Sequence, residues 1–111
     1  MKLAVYRWLG HNAGDEACQR GLETAFGPDV EWRHIDIWAA RSRDLDSICK
    51  EVNSCDGLVI GGGTILGDLD TWLNKSVNDI EIPIGIFGTG VIEMKIYPNR
   101  NLTPILDKAS V

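Results

Sequence analysis

The chain has 111 residues, with 11 Lys and Arg against 16 Asp and Glu, so its formal net charge is −5. It carries no basic cluster, which argues against nucleic acid or an anionic membrane surface as its partner. No apolar run approaches the roughly 20 residues that span a bilayer, and the opening MKLAVYRW runs into a polar motif rather than forming a secretory leader.

Leu3 to Trp8 opens the chain as an apolar, aromatic-rich strand. Gly10 to Gly14 reads as a turn. Asp15 and Glu16 then fall in the first turn of a helix, where negative charge suits the dipole. Cys18, Gly21, Leu22, Ala25 and Phe26 form the expected inward stripe of that helix, and Gly27-Pro28 stops it. Val30 to Trp38 reads as a second strand. Leu45, Ile48, Cys49 and Val52 give a second amphipathic helix. Gly57 to Ile60 is a short β-branched apolar run, too short for a helix. A helical spacing follows from Ile65. Ile82 to Phe87 makes a fourth strand ending in Gly88-Thr89-Gly90, with Pro83 near its start, where a missing donor is tolerated. Thr103-Pro104 reads as the opening of a last helix.

This alternation implies a single α/β domain over residues 1–111. The expected architecture is Rossmann-like, a three-layer α/β/α arrangement around a four-stranded parallel sheet, with right-handed crossovers and strand order 2-1-3-4. Strands are expected near residues 2–8, 31–38, 57–61 and 83–88. A parallel sheet of four strands leaves an apolar fourth edge that calls for cover, from a partner chain, a further domain or the 93–111 segment. Cys18, Cys49 and Cys55 are odd in number and lack C-x-x-C spacing, so reduced, buried cysteines in a cytoplasmic protein are expected.

The organising stretch is Asp56 to Asp68, DGLVIGGGTILGD: strand, glycine turn, helix. Glycine lets a ligand approach the main chain, and this unit places a crevice at the carboxyl end of a parallel strand. The pattern is not G-x-G-x-x-G, since Leu66 stands where the third glycine belongs, and no Gly-Lys-Ser/Thr follows for a phosphate loop. A dinucleotide or nucleotide cofactor is therefore not expected, nor is a metal.

With order 2-1-3-4 the loop after Trp8 lies beside the loop after Ile60. Asp15 occupies a helix end that would otherwise attract phosphate, which suits the first turn to sugar hydroxyls or a cation. Asn12 adds an amide that both donates and accepts. Gly61, Gly62, Gly63 and Thr64 offer backbone donors for a polar ligand edge, and Asp68 lies one turn into the next helix. His11 is a loop histidine beside the motif, and His34 is assigned no role.

Asn12-Ala13-Gly14-Asp15-Glu16-Ala17 after the first strand, Gly61 to Asp68 after the third and Gly88-Thr89-Gly90-Val91 after the fourth together resemble the polysaccharide pyruvyl transferase family. The resemblance runs over nearly the whole chain and over the N-terminal part of a typical member. It implies half of a GT-B-like architecture and a transferase reaction, passing pyruvate as a ketal from phosphoenolpyruvate, the donor substrate, to a sugar of a cell-surface polysaccharide. It implies substrate-binding roles for Asn12, Gly14, Asp15, Glu16, Gly61, Gly62, Gly63, Thr64, Asp68, Gly88 and Gly90, with Asp15 the candidate for catalysis. The family's donor-binding arginines and histidine lie in its C-terminal half, so this chain is expected to be part of a longer protein and inactive alone. Two alternatives stand beside this: a nucleotide-sugar-dependent half of GT-B type, and a non-catalytic α/β binding or assembly module.

Overall fold

The computed structural model describes residues 1–7, 13–40, 42–63, 76–89 and 108. Four strands, β1 (Lys2–Arg7), β2 (Glu31–Asp36), β3 (Gly57–Gly63) and β4 (Ile84–Thr89), form one sheet in the order β2-β1-β3-β4. Every neighbouring pair is parallel. Helix α1 (Ala13–Phe26) joins β1 to β2, and a short α2 (Ile37–Ala40) and α3 (Leu45–Asn53) join β2 to β3. The expected α/β class, parallel pairing and strand order all hold.

Side chains of a strand alternate between faces, and two cores follow from that alternation. On one face Ala4, Tyr6, Ile35, Leu58, Ile60 and Ile84 pack with Ile48 and Val52 of α3. On the other, Leu3, Val5 and Val59 pack with Leu22 of α1. Val5 and Val59 are fully or almost fully buried, and each such side chain removed from water contributes about 1.5–3 kcal/mol.

Local chemistry fixes the ends of the elements. Asp44 caps α3, accepting from the Ser47 backbone N–H at 3.2 Å, which satisfies a donor the helix leaves open. Gly27, at φ 90°, ends α1 in the left-handed region where glycine carries no Cβ penalty. Asp56 extends the β1–β3 ladder: its N–H donates to Lys2 O at 2.7 Å and its carboxylate accepts from Lys2 N at 2.8 Å. Asn53, at the end of α3, donates to Asp79 O and accepts from Glu81 N, both at 2.8 Å. That one amide ties α3 to the approach to β4.

Several expectations are corrected. β2 stops at Asp36, and residues 37 and 38, expected to continue the strand, belong instead to α2, which brings Ala40 into the α3-side core at 3% exposure. β3 runs on through Gly63, and β4 through Thr89, because Gly61 pairs with Phe87 and Gly63 with Thr89. These glycines therefore belong to a ladder at positions where a turn was expected. The inward stripe of α1 is shifted. Gln19 and Leu22 are buried and Glu16 and Glu23 half-buried, whereas Cys18, Gly21 and Ala25 are exposed. Cys18 is thus an exposed thiol, contrary to expectation, while Cys49 and Cys55 are buried as expected. The helix expected after Ile65, the last helix and the cover of the β4 edge lie outside the described residues, apart from a 3-10 turn at Val77–Asp79 and Lys108.

Candidate functional site

Parallel pairing sets the carboxyl ends of β1 and β3 side by side, with Leu3 to Tyr6 opposite Gly57 to Ile60. The first turn of α1 begins at Ala13, six residues beyond the end of β1 in chain order, and contains Gly14, Asp15 and Glu16. Gly61, Gly62 and Gly63 close β3, and Gly88 lies near the end of β4 alongside them. The described parts of the three motifs therefore belong to one edge of the sheet, where ligands of open α/β sheets bind. Asn12, Thr64, Asp68, Gly90 and His11 lie outside the described residues.

Gly61 carries a packing constraint. A Cβ there would stand 2.7 Å from Phe87 O and 2.8 Å from Leu22 Cδ1. The missing side chain is what lets α1 and β4 close against β3 at this level. Close approach is thus the function of this glycine in the fold itself, and backbone donors of Gly61 to Gly63 are partly committed to the ladder with β4.

From the sequence Arg7 has a place on the first strand but no part in the site. Leu3 and Val5 face α1, and the two-residue period carries Arg7 to the same face, one step further toward the carboxyl edge. It is 4% exposed. Its Nη2 donates to Glu16 Oε1 at 2.7 Å, joining the end of β1 to the first turn of α1. Charge-assisted bonds of this length are the strong class. A charged residue in phase with Leu3 and Val5 was the signal available in the sequence.

A polar seam continues down the same face. Gln19, one helical turn beyond Glu16, is 3% exposed and donates through Nε2 to Glu23 Oε1 at 3.0 Å. Among the described residues no donor reaches Gln19 Oε1. On β2, His34 lies in register with Val5 and Asp36 with Arg7, so both face this seam. Burial pushes the His34 imidazole below its ordinary value, and the Arg7 charge lowers it further, with Glu23 and Glu16 opposing. The inward turn of Glu16 follows from its bond to the Arg7 guanidinium, and Gln19 and Glu23 pair with each other further along the same helix.

A shallow groove of about 630 Å³ lies at the other end of α1, between Arg20 and Thr24 on the helix and Val30, just before β2, and Trp32 on it. It sits at the amino-terminal side of β2, away from the glycine-bearing edge. Trp32 there meets Phe26 edge to face, with ring centroids 5.5 Å apart. The carboxyl edge of the sheet, which carries the described motif residues, is the better candidate. Among the described residues no three His, Cys, Asp or Glu side chains gather as a metal would require, and no helix is long and apolar enough to cross a membrane.

Compared with known proteins, the chain matches no family model, no curated sequence and no solved structure.

Proposed function

We propose that the chain is the N-terminal, acceptor-side part of a polysaccharide pyruvyl transferase-like enzyme, a Rossmann-like α/β/α layer of a GT-B-like architecture working in the cytoplasm. In this reading the crevice takes a sugar of a glycan precursor, and phosphoenolpyruvate is the donor of the complete enzyme. The observation that carries it is the strand order β2-β1-β3-β4, which supports a shared edge for Gly14 to Glu16 and Gly61 to Gly63. Those are the motif residues on which the family resemblance rests.

The charge supports an acceptor role. Phosphoenolpyruvate carries a phosphate and a carboxylate, and desolvating them without opposing cations costs several kcal/mol. Among the described residues Arg7 is a cation at the carboxyl end of the two central strands, and it is already engaged by Glu16. Sugar hydroxyls, by contrast, donate readily to carboxylates. Donor recognition and the acid that protonates the enol carbon belong to residues outside this chain.

The test incubates the purified chain with phosphoenolpyruvate and a panel of glycan acceptors, following phosphate release and, separately, sugar binding. No turnover is expected, with weak sugar binding that Asp15→Ala abolishes. Turnover by the isolated chain that disappears in Asp15→Ala would overthrow the half-site reading. A complete lack of sugar binding would favour the non-catalytic module instead.

A further inference from the structure

We propose that Arg7 is a positioning residue whose buried guanidinium holds the Glu16 carboxylate at the crevice as a fixed acceptor for the hydroxyls of an uncharged sugar. This rests on the reading of the strand-end crevice as a sugar site, and it adds a residue and a ligand charge class to it.

The two side chains have unequal exposure, 5% for Arg7 and 45% for Glu16. The guanidinium is therefore buried, while the carboxylate bonded to it, in the first turn of α1, is part-exposed. A free Glu side chain loses rotamer entropy when it is fixed. The 2.7 Å bond to Arg7 makes that loss during folding, so the acceptor is ordered before a ligand arrives. An ionised carboxylate offers about four lone-pair sites, so one bond to Arg7 and another neighbour still leave it able to accept from a hydroxyl.

The charge around the pair selects the ligand. Arg7 is buried and matched by Glu16, and Asp36 stands in register with Arg7 on β2. Arg7, Glu16 and Asp36 together carry a formal charge of −1, so a phosphate or carboxylate group meets repulsion from this group of side chains and a neutral polyol does not. His34, on the same face of β2, keeps to its neutral form, with burial and Arg7 both holding its pKa down. It adds no cation to offset the acids at neutral pH.

The experiment measures binding of methyl glycosides, with the matching sugar phosphates as the second probe, by calorimetry and ligand-observed NMR. The proteins are the wild type, Arg7→Met, Arg7→Lys, Glu16→Gln, the double variant Arg7→Met/Glu16→Gln, and Glu51→Gln as an ion-pair control on the opposite face. Circular dichroism and urea unfolding verify that each is folded, and Arg7→Lys keeps the test open if Arg7→Met does not fold. Expected are a loss of at least tenfold in glycoside affinity for Glu16→Gln and for Arg7→Met, and a double variant no weaker than either. Partial recovery in Arg7→Lys, an unchanged Glu51→Gln and sugar phosphates weaker than the neutral glycosides complete the expectation. Additive losses, wild-type binding in Arg7→Met, or tighter binding of sugar phosphates would each overturn the assignment of Arg7 while leaving a sugar site in place. No glycoside binding by the wild type would overturn the crevice reading itself.

Discussion

The packing of α1 onto β3 makes a quantitative demand on Gly61. A Cβ added there would lie 2.7 Å from the Phe87 carbonyl oxygen and 2.8 Å from Leu22 Cδ1, where ordinary contact begins near 3.4 Å. Both intrusions are roughly 0.6–0.7 Å, from the same distances. Leu22 can rotate away, but Phe87 O is backbone held in the β3–β4 ladder. Overpacking of this kind costs about 1–3 kcal/mol. Restricting the unfolded chain by replacing glycine offsets about 0.4–1 kcal/mol of that. Gly61→Ala should therefore lose roughly 1–2 kcal/mol, which for a domain of this size lowers Tm by roughly 5–10 °C. Urea unfolding followed by Trp fluorescence and circular dichroism measures it. Gly21→Ala is the comparison: Gly21 lies within α1 with nothing within 4 Å of its added Cβ, so the substitution should stabilise by about 0.5–1 kcal/mol. In Gly61→Ala/Leu22→Ala the side-chain contact is gone, and the combined loss should fall short of the sum of the two single losses. A Gly61→Ala protein as stable as the wild type would refute this account of how α1 and β4 close on β3.

Two further outcomes follow from side-chain bonds on the other face. Asn53→Ala removes the two 2.8 Å bonds that join α3 to residues 79–81, and at about 0.5–1.5 kcal/mol per bond the loss should be about 1–3 kcal/mol; faster amide exchange at Glu81 would localise it, and unchanged exchange there would count against the tie. Glu51 accepts from Arg33 Nε and Arg43 Nη2, both at 2.6 Å; burial alone would raise its pKa, but the two arginine bonds more than offset this and hold it below the usual carboxylate range. A depressed folded pKa stabilises above the unfolded value of about 4.3 and ceases to do so as pH falls through the folded one. Glu51→Gln should thus be less stable than the wild type near pH 7 and converge with it in acid, as urea midpoints across pH 2–7 would record. A stability gap that persists at pH 2 contradicts the ion-pair explanation.

The candidate site divides in an instructive way. That Gly14, Asp15 and Glu16 open a helix beside the glycines of the third strand was legible, because the strand-turn-helix order and the doubly wound rule depend only on local pattern and crossover handedness. Arg7 was not, although its phase with Leu3 and Val5 was available. A charge inside an apolar run reads as a strand end until the facing helix is known to offer a carboxylate. For the same reason Cys18 was expected inside, whereas it is exposed and its neighbour Gln19 is buried. Hydrophobic periodicity assumes that a helix meets apolar strands, and the end of β1 presents a guanidinium.

By itself the sequence determined the four described strands, their parallel pairing and their order. Short β-branched runs alternating with amphipathic stretches leave few right-handed arrangements of a parallel sheet. Tertiary structure alone decided where those strands stop, since Gly63 and Thr89 extend the ladder only because each has the other as partner. It also decided which face of α1 turns inward and what Gly61 is for. Each depends on a neighbour distant in the chain: Glu16 on Arg7, Gly61 on Leu22 and the Phe87 carbonyl. Local pattern carries the period of a segment, but a contact between segments exists only once the chain has closed on itself.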